Sequence, residues 1–374
     1  MIQAGKGLLA LAIAFATGGA AHAAPAYTIT EIGTLGGAAS MAVSINASGQ
    51  IAGSAVTATG QSHAFLYDRG VMTDVLAGRD DVFEGVGIVN DLGQVAGDYY
   101  LNDTGVRAAF VYDQGTLREW RAADGGSLTV RGFNNAGELA GTVMPASGAY
   151  QRAFALRNGQ IVEIGSTEAG AVTQGHGINQ SGWMAISVSS MEAGIQTALV
   201  GPDGSTVALT APGEGTWFGN PQINDHRAVA GTAMSMSMRP RAMLFAGQSW
   251  TDLGALDAYS SMAMGINNRN DVVGTLNYYT PWGDETQEAF AYVDGQMRKL
   301  GSLIDPASGW QLKAAMDIND RGQIVGYGVF NGQERGFLLT PVPEPDALAL
   351  VAAGMLAFSL HRAGAAATRR RRHR

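Results

Sequence analysis

The sequence predicts an all-β fold, a seven-bladed β-propeller closed by its own N-terminal strand. Three observations carry that prediction. The first is a phrase written seven times: "INASGQIAG" (45–53), "VNDLGQVAG" (89–97), "FNNAGELAG" (133–141), "INQSGWMAI" (178–186), "INDHRAVAG" (223–231), "INNRNDVVG" (266–274) and "INDRGQIVG" (318–326). The second is its period. The aligned residues Asn46, Asn90, Asn134, Asn179, Asn224, Asn267 and Asn319 lie 44, 44, 45, 45, 43 and 52 residues apart. In a chain with 52 glycines and no long glycine-free stretch of 3.6-residue periodicity, that is the length of a four-stranded blade and not of a helical repeat. The third is a pair of matching defects: the last repeat lacks a fourth strand, and a spare strand of that type precedes the first repeat.

Taken in order, the chain begins with Lys6, an apolar run at 8–16 and the triplet Ala21-His22-Ala23. This is the layout of a signal peptide (1–23), with Ala21 and Ala23 as the small residues of the cleavage site. Residues 27–37, "YTITEIGTLGG", read as the spare fourth-type strand. In the first repeat, strands are expected at 41–46, 50–56, 62–68 and 71–75. Gly49, Gly93, Gly137, Gly182 and Gly322 share one hairpin position that demands left-handed backbone. Asn270 tolerates that conformation, while Arg227 implies a different turn. The repeat asparagines read as Asx turns bonded to their own backbone rather than as a ring of ligands.

The third strand carries an Ala-Phe pair at Ala64-Phe65, Ala109-Phe110, Ala153-Phe154 and Ala289-Phe290. It loosens to Ala198-Leu199, Ala242-Met243 and Gly336-Phe337. Small beside large suits packing between blades, since no single blade can bury its own apolar face. Ser44, Gly132, Gly177 and Gly265 precede the Ile-Asn pair, small residues fit for strands crowded at an axis. The seventh repeat stops after 335–342. Residues 27–37 should therefore pair with the segment around 336–340, closing the ring and removing two exposed edges.

The C-terminal segment (342–374) holds Val342-Pro343-Glu344-Pro345, an apolar stretch at 347–360, and the basic cluster Arg369, Arg370, Arg371 and Arg372. The prolines stop a strand, the apolar stretch reads as a single membrane helix, and the arginines would stay cytoplasmic. These parts in this order resemble a PEP-CTERM sorting signal. The resemblance implies export by a Gram-negative cell, transient inner-membrane anchoring, processing by an exosortase, and delivery to the cell surface or an exopolysaccharide matrix. Residues 27–341 also resemble the HAF-repeat family of probable extracellular proteins, through His63-Ala64-Phe65. In the other copies Ala108, Arg152, Thr197, Arg241, Glu288 and Arg335 replace the histidine. That family implies no reaction, and no catalytic residue is carried over.

Composition narrows the chemistry. The chain has no cysteine, which excludes disulfides, thiolate nucleophiles and cysteine-bound metals. Its net charge of −8 already includes the basic tail, so the repeat body is more acidic still and unsuited to nucleic acid. The body's histidines, His63, His176 and His226, fall at different registers of the repeat and do not converge by symmetry. No cofactor is required. Asp91, Asp225, Asp317 and Asp320 are oxygen donors of the kind calcium takes, but the spacing of a calcium loop is absent. The sixth repeat is the longest, and its segment 276–287 groups Tyr278, Tyr279, Trp282, Asp284 and Glu285, aromatic faces and carboxylates suited to a glycan. Two functions stand open: a non-catalytic surface or matrix scaffold that binds exopolysaccharide or surface proteins, and a propeller hydrolase or lyase acting on polysaccharide.

Overall fold

Alternation of apolar and polar residues between glycine turns drives every repeat into short antiparallel strands, and the structure, a computed structural model, has twenty-eight of them among the described residues. It describes residues 26–165, 170–190, 194–210, 216–235, 239–279 and 285–343. The strands form seven blades of four, each running outward from an inner strand beside a common axis. The inner strands are Gly36–Ile45, Val82–Val89, Ser127–Phe133, Val172–Ile178, Thr216–Ile223, Ser260–Ile266 and Trp310–Ile318. They define blades 1 to 7.

Blade 7 is closed as expected. Tyr27–Glu31 pairs antiparallel with Gln333–Pro341, in register from Tyr27 opposite Pro341 to Glu31 opposite Phe337. The spare strand is shorter than 27–37, because Gly36 already begins the inner strand of blade 1. Tyr27 N–H also donates to Leu303 O, and Val342 N–H donates to Ala26 O. Val342 thus continues the closing pair instead of starting a free linker, and Pro343 follows it at the surface.

The repeated asparagines do more than form local turns. In each copy the side-chain oxygen accepts two backbone N–H groups of its own hairpin, as Asn46 Oδ1 does from Ser48 and Gln50. The side-chain amide then crosses to the next blade. Asn46 Nδ2 donates to Asn90 O, Asn90 to Asn134, Asn134 to Asn179, Asn179 to Asn224, Asn224 to Asn267, Asn267 to Asn319, and Asn319 back to Asn46, at 2.9–3.2 Å. All seven asparagines are buried. The Arg227 turn, expected to differ, is retained: Arg227 adopts φ +60° and places its guanidinium over the Trp183 ring at 5.0 Å.

Apolar contacts fill the spaces between blades. Phe110, Phe154, Phe290 and Phe337 are fully buried, each opposite a glycine of the second strand. A Cβ on Gly97, Gly141, Gly274 or Gly326 would stand 2.8–3.0 Å from that ring and 1.9–2.0 Å from a carbonyl of the inner strand. Blade 4 departs from this rule. There Ile186 faces Ala198, so the large and small partners are exchanged, and the pair aligned with Ala-Phe is Thr197-Ala198 rather than Ala198-Leu199. In the sixth repeat the strands paired up to Tyr279 opposite Glu285 are followed by a connection holding two 3-10 turns, Leu300–Ser302 and Pro306–Ser308, which accounts for part of its extra length.

The expected C-terminal membrane helix is not supported. Among the described residues no helix is long and apolar enough to cross a membrane. The transient anchoring and exosortase partnership built on that helix fall with it. The stretch 347–360, Glu344, Pro345 and Arg369, Arg370, Arg371 and Arg372 lie outside the described residues, as do Ala21 and Ala23 of the expected signal peptide.

Deleting residues 27–31 should uncover the edge of Gln333–Pro341 and the apolar cluster that Tyr27 and Ile29 pack against, Phe337 and Leu339 included. A sharply lower melting temperature and aggregation are expected by calorimetry and light scattering; melting like the intact chain would reject the closure. Asn134→Ala removes four side-chain hydrogen bonds and leaves the buried Asn179 carbonyl with the Gly182 N–H of its own hairpin. It should cost about 2–4 kcal/mol in denaturant unfolding, well above the value for an exposed turn residue such as Ala136.

Candidate functional site

The inner strands enclose an axial channel of about 700 Å³, within the range of roughly 300–1,000 Å³ usual for small-ligand sites. In six of the seven inner strands a β-bulge stands just before the repeat asparagine, between Ala42 and Ser44, Val130 and Gly132, Gly175 and Ile178, Gly219 and Gln222, Ala263 and Gly265, and Ala315 and Asp317. A bulge turns a side chain out of the strand's alternation. Here it places Val43, Arg131, His176, Asn220, Met264 and Met316 on the channel wall.

The wall is two-sided. Blades 6, 7, 1 and 2 contribute Met264, Met316, Val43, Val86 and Ile88, whereas blades 3 to 5 contribute Arg131, Gln151, Gln174, His176, Asn220 and Gln222. Ser44 and Asp317 are polar residues on the apolar side, and both are committed to backbone. Ser44 Oγ accepts from Val89 N–H at 3.3 Å, and the Asp317 carboxylate accepts from Ile45 and Ile318 N–H at 2.9 and 2.8 Å.

Arg131 and His176 occupy the same register, three residues before the repeat asparagine, on adjacent inner strands. The strands touch there: a Cβ on Gly132 would lie 2.6 Å from Ile178 N and 3.0 Å from His176 O. Arg131 is exposed to the channel, donates to its own neighbour Val130 O, and has no carboxylate partner among the described residues. His176 is 9% exposed, and its Nε2 lies 2.9 Å from Ser187 Oγ. Burial first, and the Arg131 charge second, hold its pKa down at about 4. The imidazole is therefore neutral at physiological pH, a proton acceptor beside a free cation. Gln174 and Gln151 are joined at 2.8 Å next to the pair.

The other residues singled out in the sequence stand elsewhere. One channel mouth carries a second set of turn-to-turn bonds, in which Asp91 accepts from Ala47 N–H, Asp225 from Gln180 N–H and Asp320 from Asn268 N–H. These carboxylates are committed to neighbouring turns. Among the described residues no group of three or more His, Cys, Asp or Glu could hold a metal ion. His63 lies between blades 1 and 2, its Nδ1 2.9 Å from Asp74 Oδ2; His226 is on an exposed turn.

Tyr278 and Tyr279 project to opposite faces of their strand. Tyr278 bonds to Asp257 under Lys299, and Tyr279 meets Tyr259 edge-on at 4.9 Å between ring centres. Trp282 and Asp284 lie outside the described residues. Arg131 drew no notice in the sequence, although the repeat alignment held the signal: at its register the other copies have Val43, Gly87, Pro221, Met264 and Met316, and only Arg131 and His176 are basic.

Unfolding frees His176 to its ordinary pKa of 6.5, so between about 4 and 6.5 the unfolded chain binds the extra proton. The stability contributed by burying this neutral ring is complete above pH 6.5 and is lost as the pH falls toward 4. Asp317 acts in the opposite sense. Burial raises it to about 6, so its contribution is present at low pH and is lost as the pH rises through 6. Comparing the wild type with His176→Gln isolates the histidine. The wild type should lose up to about 3 kcal/mol more than the variant between pH 6.5 and 4 in denaturant titrations; parallel pH profiles would show that His176 is not held neutral.

No protein-family model matches the chain, and no curated protein is similar to it. The HAF-repeat and PEP-CTERM resemblances are therefore not supported, nor are the surface scaffold and matrix delivery drawn from them. Solved structures are similar in fold. A prolyl endopeptidase structure is 13% identical with a TM-score of 0.55, over 84% of this chain and 52% of that one. A catalytically inactive virginiamycin B lyase from Staphylococcus aureus, crystallised with quinupristin, is 10% identical with a TM-score of 0.51, over 84% of this chain and 100% of that one. At such identities the likeness establishes the propeller fold alone.

Proposed function

We propose that the protein is a propeller lyase that cleaves an anionic polysaccharide in its axial channel, with Arg131 and His176 as its catalytic residues. The observation that carries this is the pairing of a channel-facing guanidinium that makes no salt bridge among the described residues with a neutral, buried imidazole on adjacent inner strands. β-Elimination from a uronate needs that combination. Arg131 pairs with the sugar carboxylate and acidifies the α C–H; His176 takes that proton as the C–O bond to the neighbouring sugar breaks. The imidazolium then returns the proton to the departing oxygen, leaving an unsaturated uronate. The two-sided wall suits a sugar ring, with its CH face against Met264 and Met316 and its hydroxyls toward Gln151, Gln174, Asn220 and Gln222.

Hydrolysis is less well served. It uses two free carboxyl groups flanking the scissile bond, whereas the channel's Asp317 is held by two backbone N–H groups and the mouth aspartates by neighbouring turns. The chain's net charge of −8 offers no long-range attraction to a polyanion, so the reading rests on one local cation. The virginiamycin B lyase likeness shows that a propeller of this fold can carry a lyase, and no more.

The test is a panel of uronate-containing polysaccharides followed by the ultraviolet absorbance of the new C=C bond and by reducing ends. Both signals should rise together. His176→Ala should lower kcat about 10²–10⁴-fold, and Arg131→Ala should act mainly on KM. Reducing ends without the absorbance would make the protein a hydrolase, and no turnover on any member of the panel would reject the reading.

A further inference from the structure

The second strand of each blade has a side chain one residue beyond the position that faces the phenylalanine, and in several blades it ties that blade to the next. Asp98 accepts from Val130 N–H at 2.8 Å, Thr142 Oγ1 from Gly175 N–H at 3.2 Å, and Thr275 Oγ1 donates to Lys313 O at 3.1 Å. Ser187 holds this register in blade 4 and makes no such bond among the described residues. Thr197, opposite it on the third strand, bonds to blade 5 instead, donating to Phe218 O at 2.8 Å. The Ser187 hydroxyl is thereby released, and it lies against His176 Nε2 at 2.9 Å.

The other ring nitrogen is differently placed. Among the described residues no hydrogen bond engages His176 Nδ1, and that nitrogen is not one of their buried, unpartnered atoms; His176 lines the channel. A neutral imidazole carries its proton on one nitrogen only, and the partner of that nitrogen selects it. The Ser187 hydroxyl can accept from an Nε2–H or donate to an Nε2 lone pair, so the channel side of the ring decides between them. Loss of the hydroxyl would leave a buried Nε2–H without an acceptor. An N–H at Nδ1 would point into a channel that already holds the Arg131 guanidinium, where a lone pair is favoured over a donor.

We propose that Ser187 is a positioning residue that fixes His176 as the Nε2–H tautomer and presents the Nδ1 lone pair to the channel. This rests on the view of His176 as a base and goes beyond it by naming the basic atom and the residue that keeps it basic. Methionine and valine at the His176 register of other blades need no such partner, which accounts for the departure of blade 4 from the repeat.

The experiment is ¹⁵N NMR of the imidazole nitrogens in the full chain at neutral pH, needing no substrate. The wild type should show a protonated Nε2 and an unprotonated Nδ1. Ser187→Ala should move the proton toward Nδ1, and Ser187→Thr, a residue the same register accepts at Thr142 and Thr275, should restore the wild-type pattern. A wild type protonated at Nδ1, or a Ser187→Ala spectrum unchanged from it, overturns the proposal. The tautomer is measured apart from activity, so a correct tautomer without turnover would sustain this proposal while rejecting the lyase. Where turnover is found, Ser187→Ala should lower kcat with little change in KM; loss in KM alone would overturn the positioning role.

Discussion

The seven asparagine amides that run from blade to blade are the constraint on which the rest of the molecule depends. Each side chain divides its work. Its oxygen caps the hairpin of its own blade, and its nitrogen donates to the main-chain carbonyl of the next asparagine. A local turn is thereby converted into a fixed distance between neighbouring inner strands, repeated until Asn319 returns to Asn46. These groups are buried, so each bond is made away from competing water, and the ring adds to the hydrogen bonds that every asparagine already makes within its own hairpin.

A scaffold so regular leaves chemistry to the residues that regularity does not need. The bulge just before the asparagine is such a place. It bends the inner strand at the axis, where glycine and small residues let neighbouring strands touch, and turns one side chain into the channel. In blades 1, 6 and 7 that side chain is apolar, Val43, Met264 and Met316. Blades 3 and 4 use it for Arg131 and His176, so a structure with sevenfold repetition acquires a site with one polar side. Blade 4 departs most from the pattern: its phenylalanine is lost, its inter-blade bond passes to Thr197, and Ser187 turns to the histidine.

Closure works by a different principle. The outer strand of blade 7 comes from the beginning of the chain and its other three from the end, so the ring cannot open without breaking a ladder between the two termini. The terminal strand edges that an open array would expose are paired with each other, and the apolar contacts beneath them, Phe337 with Trp310 among them, are covered.

The sequence by itself determined the period, the number of blades, the turn positions and the pairing of the two ends. Those features are set by requirements local to a few residues, such as left-handed backbone at Gly49 and its equivalents, or by the complementary lack of one strand. It did not determine which way side chains face at the axis. A strand alternates strictly until a bulge reverses it, and the bulges arise from contact between neighbouring inner strands, which only the closed ring brings together. Arg131 and His176 were both legible as residues, 45 positions apart, but their adjacency and their channel-facing direction belong to the tertiary structure. The same is true of the asparagine ring: the Asx turn is a local hydrogen bond that a sequence can announce, while the amide donor finds its acceptor only on another blade. The Arg227 turn was misjudged for a related reason, since the Asn224 bonds and the Trp183 ring that hold its positive φ come from the assembled hairpin and the neighbouring blade.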